Sequence, residues 1–308
     1  MVERLVANEK VEGSTPFARS NKFDKIIMII WIASYPKSGN TYLRTFLASY
    51  YFSENGKFNF DQLIKMHQFP NIKLSKFKPE TKVEASKNWI FNQNTFFNKN
   101  DLNLVKTHNC LLPFAGNKFT TKKETLGAIY IVRDPRNIIT SMTHHYSLDY
   151  EEALNYMLDE NSSMLEESHE QDHSNFTYLN SWSNHYKSWK NNYDFETLFI
   201  KYEDLAKNKE EIFKKIILFV DRLSKKNSKI DEKKFQNSIQ STNFSNLKNK
   251  ELNEGFEESV FSNKTGKKIN FFNLGFNNRW QKILPLKIKI KTNEIFSDNL
   301  KELGYKNE

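Results

Sequence analysis

Ile26-Ile27-Met28-Ile29-Ile30-Trp31-Ile32-Ala33-Ser34-Tyr35-Pro36-Lys37-Ser38-Gly39-Asn40-Thr41 is an apolar run that breaks abruptly into a polar turn. The apolar half is too short to cross a bilayer and too continuous for a half-exposed strand, so it reads as a strand buried on both faces. The polar half offers an anion what it needs: Gly39 for a tight turn, Lys37 for full charge, and Ser38 and Thr41 for hydroxyl donors. An amphipathic pattern, Leu43, Phe46, Leu47 and Tyr50, follows at once, which brings a helix N-terminus to the same point. An ordinary βα turn with a solvated Lys37 fits these residues equally well. The order of residues excludes a Walker A loop, because the lysine precedes the glycine and G-x-x-x-x-G-K-[ST] is absent.

Working outward, residues 102–105, 128–132 and 198–201 form further short apolar runs. Between and after them lie helical patterns such as Ile212, Phe213, Ile216, Ile217 and Val220. This alternation predicts an α/β fold, a single domain over residues 26–308 with a mainly parallel central sheet flanked by helices on both faces. Asp134 and Pro135 are a cap and a first helical residue, so a helix is expected to start tightly after Val132. Residues 159–175 are polar and acidic and are expected to form a mobile loop or lid, and Lys264, Lys267 and Lys268 around Gly266 a second, basic one.

Composition bounds the partners. The chain has 308 residues and a formal charge of +9, which favours an anionic ligand, yet no block of like charges forms the basic arm of a nucleic-acid binder. Cys110 is the only cysteine, so no intrachain disulfide forms and a reducing, cytoplasmic location is expected. Residues 1–25 lack apolar periodicity and lack the apolar core of a signal peptide. They read as a disordered or spurious leader: residues 11–20 resemble a translated transfer-RNA gene end, and Met28 is the expected natural start.

The first three strands each end in a polar cluster: Lys37 to Thr41, then Lys106-Thr107-His108, then Arg133-Asp134. In open parallel sheets ligands bind beyond the carboxyl ends of the strands, so these clusters are expected to converge. Ser34 through Arg44 resembles the 5′-phosphosulfate loop of the cytosolic-type sulfotransferase family, especially its bacterial members. Val105-Lys106-Thr107-His108 is similar to the family's K-T-H segment, and Ile131 through Ser141 to its 3′-phosphate segment. Tyr202-Glu203-Asp204-Leu205, Thr242-Asn243-Phe244, and the spacing of Gly275 to Trp280 match later family segments.

The resemblance implies a P-loop-NTPase-like sulfotransferase fold. It also implies in-line transfer of a sulfonate from 3′-phosphoadenosine 5′-phosphosulfate (PAPS) to an acceptor hydroxyl or amine, with adenosine 3′,5′-bisphosphate leaving and no metal required. Carried over by position, Lys37, Ser38, Gly39, Asn40 and Thr41 would bind the 5′-phosphosulfate, and Arg133 and Ser141 the 3′-phosphate. Tyr42, Tyr202, Thr242, Phe244 and Gly275 would contact the nucleoside side. His108 would be the general base, with Lys106 and Lys37 stabilising charge in the transition state. His144 and His145 read as ordinary helix residues. The family's R-K-G-x-x-G-x-W stretch departs here: Asn273 and Leu274 replace the basic pair and Asn278 the second glycine, and Lys268 is the expected substitute, with Lys267 and Arg279 as alternatives. The acceptor, a small molecule, lipid or carbohydrate, is not legible, and a homo-oligomer stays open. The competing readings are a nucleotide-dependent phosphotransferase and a non-catalytic anion- or glycan-binding protein.

Overall fold

The computed structural model describes residues 27–97, 101–165, 172–226, 229–262 and 265–306. The leader and Lys264 therefore lie outside the described residues. The chain opens with β1 (Ile29–Ser34), α1 (Asn40–Phe52), α2 (Lys82–Lys87), α3 (Trp89–Phe96), β2 (Asn103–Thr107) and β3 (Thr125–Val132). It continues through α4 (Pro135–Tyr146), α5 (Tyr150–Leu158), β4 (Ser163–Met164), β5 (Thr177–Tyr178), α6 (Trp182–Lys190) and β6 (Thr197–Lys201). After these come α7 (Tyr202–Lys207), α8 (Lys209–Leu223), α9 (Glu232–Ser241), α10 (Phe244–Glu254), β7 (Val260–Phe261) and β8 (Lys268–Ile269). The last elements are α11 (Trp280–Ile283), α12 (Leu286–Ile295) and α13 (Ser297–Leu303).

Four strands form one sheet in the order β2-β1-β3-β6, and every neighbouring pair is parallel. All six residues of β1 are buried, as a strand with helices above and below must be. Its side chains alternate between two cores. Ile29, Trp31 and Ala33 enter one with α4, α5, α6 and the C-terminal helices, whereas Ile30 and Ile32 enter the other with α1, α8 and α9. The helix after β1 and the helix after β3 therefore lie on opposite faces, which opens a crevice at the carboxyl ends of these adjacent strands.

Asp134 caps α4 by accepting from the Arg136 N–H, with Pro135 in the first turn. Arg136 is almost wholly buried and forks onto Asp134 (2.9 and 2.8 Å). It also donates to Asn293 and to the Lys306 carbonyl and lies 3.9 Å above the Trp280 ring. This clamp fixes the start of α4 against the chain's C-terminal helices. The expected lid at 159–175 is partly built: β4 pairs antiparallel with β5, while residues 166–171 lie outside the described residues. The expected basic loop is a hairpin of β7 and β8.

Candidate active site

A cavity of about 420 Å³ opens at the crevice. The loop after β1, the end of β2, the turn after β3, the second half of α4 and the segment after α10 all line it. Lys37, Gly39, Asn40, Thr41, Tyr42, Lys106, His108, Arg133, Ser141, Tyr202, Phe244 and Gly275 are among its walls. Of the other sequence-predicted residues, Ser38 and Thr242 are not, nor are Lys267, Lys268 and Arg279, the candidates to replace the basic pair. Thr242 is fully buried and its hydroxyl donates to the Ser238 carbonyl (2.6 Å), so it finishes α9. Ser38 is fully buried in the loop, with no hydrogen-bond partner for its hydroxyl among the described residues.

The loop is held open by its own backbone. Lys37 and Gly39 both have left-handed φ, +64° and +99°, and a lysine held there stores strain of the kind found at ligand sites. The Asn40 amide donates to the Ile32 carbonyl (2.9 Å), which tacks the helix start onto β1. Arg133 donates to the Lys37 carbonyl (2.8 Å) and lies 4.3 Å above the Tyr202 ring. A Cβ on Gly39 would stand 2.3 Å from that same ring. Loop, Arg133 and Tyr202 thus fix one another.

Burial dominates the electrostatics. Desolvation, against the attraction of Glu258 and with repulsion from Arg133 and Lys106, pushes Lys37 down to about 7. Desolvation first, then the Lys106 charge, lowers His108 to about 3, so its imidazole is neutral near pH 7. His108 Nδ1 lies 2.7 Å from the Ser34 carbonyl oxygen. A carbonyl can only accept, so Nδ1 carries the proton and Nε2 keeps its lone pair. Behind it, His185 Nε2 donates to the His108 carbonyl (2.9 Å), and the Tyr130 hydroxyl lies 2.8 Å from His185 Nδ1.

Glu258 and Arg44 were not singled out by the sequence. The Glu258 carboxylate accepts from Thr41 (2.5 Å), Arg44 (2.8 Å) and Lys106 (3.0 Å). Burial opposes its charge, but Lys106, Arg44 and the Thr41 hydroxyl outweigh burial and hold its pKa well below the usual carboxylate range. Arg44 was findable, since it lies three residues after Thr41 and so on the same face of α1. His145, read as an ordinary helix residue, lines the cavity with Nδ1 buried and unpartnered among the described residues.

A neighbouring cavity of about 480 Å³ shares Arg133, Tyr202, Gly275 and Asn278 with the first and adds Arg279 and Lys207. Lys267 and Lys268 are exposed and line neither cavity. Asn278 accepts from Thr140 (2.8 Å) and donates to the Asn137 carbonyl (3.0 Å), which binds the C-terminal segment to α4.

Cations and hydroxyls gathered where a parallel sheet changes direction, beside a neutral histidine, define an α/β protein equipped to bind an anion and take a proton. A family model described as "Sulfotransferase domain" matches residues 29–304, and the chain belongs to that family. Among solved structures it resembles mouse sulfotransferase SULT7A1 complexed with PAP, at 20% identity and a TM-score of 0.54 over 89% of this chain and 84% of that one. It also resembles retinol dehydratase in complex with androsterone and inactive cofactor PAP, at 17% identity and a TM-score of 0.56 over 89% of this chain and 80% of that one. Both likenesses concern the fold. No curated protein sequence matches the chain.

Proposed function

We propose that this sulfotransferase uses PAPS as donor and moves its sulfonate in line to an acceptor hydroxyl or amine, with His108 as general base. The observation that carries this reading is the shared cavity of Lys37, Thr41, Lys106 and His108, drawn from two strand ends and one helix start. The donor set fits a phosphosulfate. Lys37 and Lys106 supply charge, and the buried Ser38 hydroxyl and Arg133 Nε lack partners among the described residues. The glycine at position 39 lets the Tyr202 ring pack directly against the loop, where a Cβ would meet it at 2.3 Å.

In this mechanism His108 Nε2 takes the proton of the acceptor as the acceptor oxygen bonds to sulfur. Lys106 and Lys37 stabilise the negative charge that gathers on the bridging oxygen as its bond to sulfur breaks. Arg133 and Ser141 would hold the 3′-phosphate, while Tyr42 and Phe244 offer ring faces to adenine. The test is release of adenosine 3′,5′-bisphosphate from PAPS that depends on an acceptor; turnover of ATP instead of PAPS would reject the reading.

Two predictions arise here. The kcat/KM for the donor reports the free protein, so its acid limb should lie well below pH 6.5, where neutral His108 is finally protonated. Its alkaline limb should fall near pH 7, as Lys37 loses its charge with rising pH. Initial rates from pH 4 to 9 check both, and K37R should move the alkaline limb upward. The second concerns the missing basic pair. Of Lys267, Lys268 and Arg279, only Arg279 shares a cavity with Arg133, so R279A should weaken adenosine 3′,5′-bisphosphate binding about three- to tenfold, whereas K268A should leave it unchanged. Calorimetric titration of both variants reads the difference.

A further inference from the structure

Glu258 makes with Thr41 and Lys106 the contacts that an external anion would make. It comes from the short segment between α10 and β7, and its side chain is 24% exposed, so one side still faces open space. The next residue is anchored: the Ser259 hydroxyl donates to Glu251 (2.6 Å), which also accepts the backbone N–H groups of Phe271 and Phe272 (2.6 and 2.8 Å). Glu258 is thus a carboxylate on a fixed base, resting in the cation cluster at the mouth of the loop. A phosphosulfate drawing on the same cations would stand beside this carboxylate, and two anions held that close repel each other.

We propose that Glu258 is an internal competitor of the donor: in the free protein it occupies the Thr41 hydroxyl and neutralises Arg44 and Lys106, and it must leave them for the donor's anionic group to bind. The identity of that donor rests on the reading above; the competition itself concerns any anion of this kind. The consequence is a selection device. A ligand enters only if its anion outcompetes a built-in carboxylate, so weakly held ions such as chloride or a monocarboxylate are turned away while a multiply charged donor is admitted. Occupancy by Glu258 also lowers apparent affinity by the fraction of protein in the competent form, about tenfold where one molecule in ten is open.

The test compares wild type with E258Q, which keeps the shape, and E258A, which removes the group. Calorimetric titration with adenosine 3′,5′-bisphosphate should show binding about tenfold tighter in E258Q. Thermal unfolding with inorganic sulfate should show a lower melting temperature for the sulfate-free variant and a larger rise on adding sulfate. If E258A folds poorly, E258Q alone carries both measurements. Equal or weaker binding of both ligands in E258Q overturns the proposal and makes Glu258 a positioning residue for Lys106 and Arg44. Absence of bisphosphate binding in every protein, with a larger sulfate response in E258Q, would reject the donor assignment and leave the competition standing.

Discussion

G39A is expected to lower kcat/KM for the donor by at least about a hundredfold, because a displacement of about 1 Å in a positioning element costs on the order of 10²-fold. Two independent facts lead there. The backbone at Gly39 has φ +99°, a conformation that L side chains pay roughly 1–2 kcal/mol to adopt. The new methyl would also meet Tyr202 at 2.3 Å. That ring cannot step aside, since Arg133 lies 4.3 Å above it and Phe276 packs at 5.0 Å with its plane tilted only 29°. The strain therefore goes into the loop, moving the N–H groups of the α1 start away from the anion. Donor titration and initial rates measure the loss, with circular dichroism to confirm that the sheet persists. Donor kinetics near those of the wild type would show that the loop is not the anion cradle.

H108A is expected to lower kcat by about 10²- to 10⁴-fold, the usual contribution of a positioned acid or base. Binding of adenosine 3′,5′-bisphosphate should change little. The separation follows from geometry. His108 points its protonated Nδ1 at the Ser34 carbonyl, whereas the groups proposed to face the phosphate come from the loop and from Lys106, two residues earlier in the chain. A drop in affinity as large as the drop in rate would recast His108 as a binding residue, and unchanged turnover would remove it from the reaction.

The strands were legible because burial on both faces leaves an unbroken apolar run. The four sheet strands begin and end within about three residues of where the apolar runs place them. That the polar clusters would meet in one cavity was legible for a related reason: they follow the strand ends and so sit beside the strongest signal in the sequence. Glu258 was not. It reaches Thr41 across 217 positions, from a segment with neither period nor turn signature, and only tertiary packing says which of many surface carboxylates turns inward. Thr242 illustrates the reverse case, since its hydroxyl serves the end of its own helix and so is absent from the cavity wall. Lys268 pairs with Phe261 in the β7–β8 ladder, whereas Arg279 lies beside α11 and lines the second cavity, a difference set by tertiary packing.

The clamp at Arg136 carries a consequence for the birth of the protein. Arg136 donates to the Lys306 carbonyl, and Tyr305 donates to Glu203 (2.9 Å), whose other oxygen accepts the Asp134 N–H (3.1 Å). The turn that presents Arg133 to the cavity is thus braced by residues up to 170 positions further along the chain. A nascent chain can fold β1, β2 and β3 and still hold this turn unbraced until residues 305 and 306 have emerged from the exit tunnel.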